Sequence, residues 1–121
     1  MAKRLCAVLG ASGIVSQRLQ QRLVNHPWFE LAAVCGGPDT AGKALHTIEW
    51  KLEQERPNIP DITVLDLADS KICNTLLGLG VSIVFSAIPS EIAHDSEPML
   101  AESGFAVFSN ASAYRRVDGI P

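Results

Sequence analysis

The chain lacks any apolar run approaching the roughly 20 residues of a membrane span. Its opening Met1-Ala-Lys-Arg-Leu5 has no long apolar stretch of the kind that begins a secretory leader. An excess of positive charge is missing too: ten lysines and arginines face thirteen acidic residues, for a net charge of −3. That balance argues against nucleic acid or an anionic membrane surface as partner. Cysteine is scarce. Cys6, Cys35 and Cys73 fall in no metal-binding spacing and leave an odd one, as expected of reduced thiols in the cytoplasm. Internal repeats and low-complexity tracts are also absent. What remains, 47% hydrophobic and 19% charged over 121 residues, suits one soluble globular domain. A chain of this size buries roughly 65% of its unfolded surface and holds a core without staples.

The most informative stretch is Leu5-Cys-Ala-Val-Leu-Gly10-Ala-Ser-Gly13-Ile-Val-Ser16. An apolar run of strand length meets a Gly-x-x-Gly turn, and an amphipathic segment follows at once. A dinucleotide pyrophosphate needs that order. Glycines remove the Cβ atoms that block close approach, and the next helix offers unpaired N–H groups and about half a positive charge. The spacing departs from Gly-x-Gly-x-x-Gly, and Ser16 stands where a third glycine is expected. A side chain there is expected to push the helix slightly from the sheet.

Strand and helix patterns then alternate along the chain. Arg4 to Leu9 reads as a buried strand, and Ile14 to His26 as a helix stopped by Pro27. Val15, Leu19 and Leu23 lie four apart on one face of that helix, with Gln17, Gln20, Gln21 and Arg22 elsewhere. Phe29 to Cys35 is a second strand, followed by a Gly36-Gly-Pro-Asp39 loop. Thr40 to Pro60 is ambiguous, with a helix expected through Leu45 to Leu52. Ile62 to Leu65 reads as a short third strand, Ser70 to Leu79 as a helix and Val81 to Ala87 as a fourth strand. Ser90 is a candidate cap for the next helix, which Pro98 is expected to kink or restart. Phe105 to Phe108 is a fifth strand, with the polar loop Ser109-Asn-Ala-Ser112 after it.

This alternation predicts an α/β fold: a Rossmann-like, doubly wound, mostly parallel sheet in three layers. Ligands on such sheets bind beyond the carboxyl ends of the strands, where the strand order reverses. Three loops leave carboxyl ends with suitable chemistry: Gly10 to Ser16, Ser86-Ala-Ile-Pro-Ser90, and Ser109 to Ser112. The plainer reading is that loops are simply small and polar. Their recurrence on one edge favours a site.

Gly10-Ala-Ser-Gly-Ile-Val15, Asn25-His-Pro-Trp-Phe-Glu30, Ala41-Gly-Lys43, Val84-Phe-Ser-Ala-Ile-Pro-Ser90 and Phe108-Ser-Asn-Ala-Ser-Ala-Tyr-Arg115 together resemble a known family. In order and throughout the chain, they are similar to the N-terminal half of aspartate-semialdehyde dehydrogenases, particularly the archaeal and fungal type. The resemblance implies NADP(H)- and phosphate-dependent interconversion of aspartate semialdehyde and aspartyl phosphate, in amino-acid biosynthesis. It implies that Ser12, Gly13, Ile14 and Val15 cradle cofactor phosphates beside Gly10, and that Ser86, Ala87, Pro89 and Ser90 line the cofactor groove. Asn110, Ser112 and Arg115 would lie toward the nicotinamide and a phosphate or acyl-phosphate.

Two departures qualify that picture. The family's nucleophile is a cysteine in an Asn-Cys-Thr/Ser-Thr segment opening the following domain, and a later histidine is the general base. Residues 1–121 reach neither, so they are expected to form an NAD(P)-binding domain that binds without turnover and self-associates through apolar surface. Cys6 and Cys73 read as core, Cys35 lies at the adenosine side, and His26, His46 and His94 read as surface or cap residues. The second departure is Gly37-Pro-Asp-Thr40, where the family has Ser-Glu-Arg-Ser. An arginine there would attract the ribose 2′-phosphate of NADP. Asp39 repels it and suits the ribose hydroxyls of NAD, or else sits in a turn that touches nothing. A binding or regulatory module with a decayed cofactor site, and a related acyl-phosphate or acyl-thioester reductase, stay open as alternatives. A short-chain dehydrogenase requires Tyr-x-x-x-Lys, and Tyr114-Arg-Arg-Val-Asp118 ends in aspartate.

Overall fold

A computed structural model of the protein describes residues 3–58 and 61–109. Five strands form one parallel sheet: β1 (Arg4–Leu9), β2 (Phe29–Gly36), β3 (Leu65–Asp66), β4 (Ile83–Ser86) and β5 (Ala106–Ser109). Three helices join them: α1 (Ile14–Leu23), α2 (Ile72–Gly78) and α3 (Ser90–Glu102). The strand order is β3-β2-β1-β4-β5. The chain starts at the centre, winds outward to β3, returns to β4 beside β1, and winds outward again. This is the doubly wound Rossmann-like α/β fold, with its reversal between β1 and β4.

The period-two alternation of β1 explains why it lies at the centre. Cys6 and Val8 enter the core on one face, and Ala7 and Leu9 enter the core on the other. Ile72 and Leu76 of α2, with Ala93 and Leu100 of α3, cover the second face, while Leu23 of α1 joins Leu45 and Ile48 over the first. In β2, Leu31 pairs with Cys6 and Ala33 with Ala7, so Ala32 is an extra residue. That bulge lets both Leu31 and Val34 face the α1 side.

Several expectations are corrected. The apolar stripe of α1 is only part of its buried face: Leu23 is buried and Leu19 packs against the core, but Val15 is 45% exposed, while Ser16, Gln17 and Gln20 are buried. The helix ends at Leu23 rather than His26, and Asn25 takes a left-handed φ of +58°. No helix runs from Leu45 to Leu52; a single 3-10 turn covers Leu45–Thr47. The Arg56 guanidinium takes the carbonyls of Leu45, His46 and Ile48, and the Gln17 amide takes the Glu49 carbonyl and the Lys51 N–H. A continuing helix would need those same groups. Residues 62–64 are not part of the third strand, because they pair with Gly42–Leu45 instead. Pro89, not Ser90, is the N-cap of α3, and that helix continues through Pro98 without restarting. Elsewhere the element limits shift by one or two residues. Among the described residues no helix is long and apolar enough to cross a membrane.

Candidate functional site

β1 and β4 end side by side, Leu9 in register with Ser86. Beyond them the chain turns through Gly10–Gly13 and Ala87–Pro89. With Gly36–Pro38 and Thr40 after β2, Leu67 and Ala68 after β3, and Ile92 and Ser96 of α3, these turns line a cleft of about 410 Å³. Two glycines make its floor, for different reasons. Gly10 has a φ of +112°, and a Cβ there would come within 3.0 Å of both the Ala87 carbonyl oxygen and the Ser16 Cβ. The fold itself therefore demands Gly10, and its missing side chain is what makes room for fully buried Ser16. Gly13 has an ordinary φ of −73°, and a Cβ there would meet only the Ser16 hydroxyl at 3.8 Å. Among the described residues nothing requires glycine at 13, yet it lines the cleft.

Two carbonyls of this turn are occupied, and the N–H groups that lead into α1 are free. The Gly10 N–H donates to the Cys35 carbonyl at 2.7 Å, tying the turn to β2. The Ala11 carbonyl accepts from Gln20 at 3.3 Å. The Gly13 carbonyl accepts from the Gln17 N–H at 3.0 Å and the Ser16 hydroxyl at 2.9 Å. The N–H groups of Ser12, Gly13, Ile14 and Val15 find no acceptor among the described residues. No acidic side chain occupies the first turn of α1. Free donors and the positive end of a helix dipole are features that suit an anion.

Of the residues singled out in the sequence, Gly10, Ser12, Gly13, Ala87 and Pro89 are brought together along the cleft. Ile14 and Val15 open α1 with exposed side chains that do not line it. Asp39 is exposed at the tip of a turn closed by Thr40 and Ala41 N–H bonds to the Gly37 carbonyl, between lining residues Pro38 and Thr40. Ser86 is fully buried and outside the cleft lining. Ser90 opens α3, with its side chain outside the described residues, as are Asn110, Ser112 and Arg115.

Ser86 instead reveals a residue that sequence reasoning missed. Its hydroxyl donates to the Glu97 carboxylate at 2.6 Å, and the Ser109 hydroxyl donates to the same oxygen at 2.8 Å. Glu97 is only 4% exposed, and its buried carboxyl group joins the ends of β4 and β5 to α3. The available signal was two serines closing neighbouring parallel strands, in register as Ser86 and Ser109. The strand thiols offer no nucleophile. Burial pushes Cys35 up to about 12, and burial together with the nearby Glu30 charge pushes Cys6 up to about 11.

The family of the semialdehyde dehydrogenase NAD binding domain matches residues 6–121. The chain belongs to that family. This semialdehyde dehydrogenase NAD-binding domain is 40% identical over 116 residues to an aspartate-semialdehyde dehydrogenase of Archaeoglobus fulgidus, covering 94% of this chain and 32% of the relative. Identity to the Saccharomyces cerevisiae aspartate-semialdehyde dehydrogenase is 35% over 121 residues, covering 98% of this chain and 32% of that one. The crystal structure of the Candida albicans aspartate-semialdehyde dehydrogenase with NADP superposes with a TM-score of 0.80 at 34% identity, covering 95% of this chain and 31% of that chain. The chain thus spans about a third of the length of these relatives. The family is described as an NAD binding domain, and NADP is bound in the Candida albicans structure.

Proposed function

We propose that the cleft holds NADP or NAD for the interconversion of aspartate semialdehyde and aspartyl phosphate, with this chain acting as the binding domain. The relatives named above support the substrate. One observation supports the cofactor's place: free N–H donors at Ser12 and Gly13, beside a glycine that the protein's own packing does not explain. Those donors would take the pyrophosphate, with the dipole of α1 adding to the attraction. Gly37, where an added Cβ would meet nothing within 4 Å, leaves room for the adenosine ribose between Pro38 and Thr40. Asp39 accepts from ribose hydroxyls and opposes a 2′-phosphate, so NADP gains no preference. Ala87, Pro89 and Ile92 give the other wall an apolar surface. When bound, the nicotinamide supplies the hydride acceptor or donor. Asn110, Ser112 and Arg115 are assigned to the nicotinamide side and to phosphate, for which a guanidinium has the matching fork.

Self-association and a cytoplasmic setting belong to the same reading. Exposed Phe108, Met99, Ile92 and Val15 supply apolar surface, and the buried, unpaired thiols of Cys6 and Cys35 suit a reducing compartment. Calorimetric titration with NADP and NAD tests the cofactor reading. Expected are similar dissociation constants in the high micromolar range. No binding of either at millimolar concentration would leave a module with a decayed site, and clear NADP preference would remove Asp39 from the ribose.

A further inference from the structure

The donors of the Gly10–Gly13 turn are aimed by a side chain that hydropathy places in solvent. Gln20 is 1% exposed, and its Nε2 donates to the Ala11 carbonyl at 3.3 Å. A carbonyl only accepts, so the amide nitrogen rather than the oxygen faces Ala11. No backbone N–H takes that carbonyl among the described residues, which makes Gln20 its one partner there. The Ala11–Ser12 peptide is trans, so its C=O and its N–H point in opposite directions. Holding the carbonyl toward Gln20 therefore turns the Ser12 N–H away from the helix interior. Ser12 lines the cleft, and its N–H has no acceptor among the described residues.

We infer that Gln20 is a positioning residue for the dinucleotide phosphates, acting through the Ala11–Ser12 peptide; the inference rests on the cofactor reading proposed above. Without the amide, that peptide loses its anchor between two glycines and is free to rotate its donor out of line. Gln17 supplies the control. It is equally buried on α1, but its side chain ties the Glu49 carbonyl at 2.7 Å and the Lys51 N–H at 2.8 Å, away from the turn. Losing either amide weakens the fold. Only the loss of Gln20 disturbs the phosphate donors.

The test compares the chain with Gln20→Met and Gln17→Met, which keep side-chain length and remove the amide. NADP affinity is measured by calorimetry, and melting temperature alongside. Expected is about tenfold weaker NADP binding for Gln20→Met, and a change under about twofold for Gln17→Met, although both melt lower. An affinity loss that simply follows the melting temperature in both variants would overturn the inference, as would unchanged binding by Gln20→Met. A second measurement needs no variant: in the unaltered chain, the Ser12 amide resonance shifts strongly as NADP is added. A stationary Ser12 amide at saturating NADP would equally refute the positioning role. Failure of the unaltered chain to bind NADP or NAD would instead remove the cofactor reading itself, and this inference with it.

Discussion

Gly10 and Gly13, three residues apart, have opposite reasons to exist, and alanine at each separates folding from binding. At Gly10, alanine brings a methyl group within 3.0 Å of the Ala87 carbonyl oxygen at a φ of +112°. Strain in that backbone region costs roughly 1–3 kcal/mol, and overpacking adds a similar amount, so about 3 kcal/mol is expected. With unfolding entropy near 2.1 cal/mol/K per residue, that lowers the melting temperature of a domain this size by about 12 °C. At Gly13, alanine meets nothing closer than 3.8 Å at a φ that any residue adopts. Losing glycine at an N-cap and stiffening the unfolded chain act in opposite directions, so the net change stays within about 1 kcal/mol. The Gly13 methyl group would instead occupy the approach to the free N–H donors and weaken dinucleotide binding by about tenfold or more. Urea melts and calorimetric titration of both variants read the two effects. Gly13→Ala binding NADP as well as the parent, or Gly10→Ala melting with the parent, would refute the reasoning.

Other outcomes follow from the same geometry. Glu97→Ala strips the buried Ser86 hydroxyl of its acceptor and unties β5 from α3, and should cost about 2–3 kcal/mol in urea unfolding, whereas Ser86→Ala should cost about 1 kcal/mol. Because Cys35 is raised from 9.0 to about 12 in the fold, the unfolded chain loses this proton first. Its contribution is intact below pH 9 and is lost as pH rises toward 12, so Cys35→Ala should show a shallower fall in urea midpoint between pH 9 and 11. In the folded chain a thiol reagent should modify half-buried Cys73 well before buried Cys6 and Cys35, and all three together in urea. Sedimentation at high micromolar concentration should show dimers or larger species, and a clean monomer would remove the apolar surface from the account.

The sheet was legible because its central strands, β1, β2 and β4, are buried on both faces and interrupted by small turn residues. Arg4–Leu9, read as a buried strand, is the central one, and the Gly10–Gly13 turn after it lines the cleft. What escaped the sequence pattern is backbone satisfied by distant side chains. Arg56 and Gln17 consume the groups that a Leu45–Leu52 helix would have used, and Gly42–Leu45 competes with β2 for residues 62–64. Hydropathy also misread α1, because Gln17 and Gln20 enter the core with their amides paired and Ser16 is small enough to face Gly10. The family resemblance implied that Ser86 lines the cofactor groove, but it is buried outside the cleft lining. Buried Glu97, eleven residues on, takes its hydroxyl.

The central claim is that a dinucleotide pyrophosphate rests on the backbone of the Gly10–Gly13 turn. A crystal structure of the chain grown with NADP tests it most directly. The account predicts phosphate oxygens within hydrogen-bond distance of the Ser12 and Gly13 nitrogens, with the adenosine toward Gly36–Thr40. NADP seated elsewhere, such as the small pocket lined by Lys3, Phe29 and Asn58 at the start of β2, would contradict it.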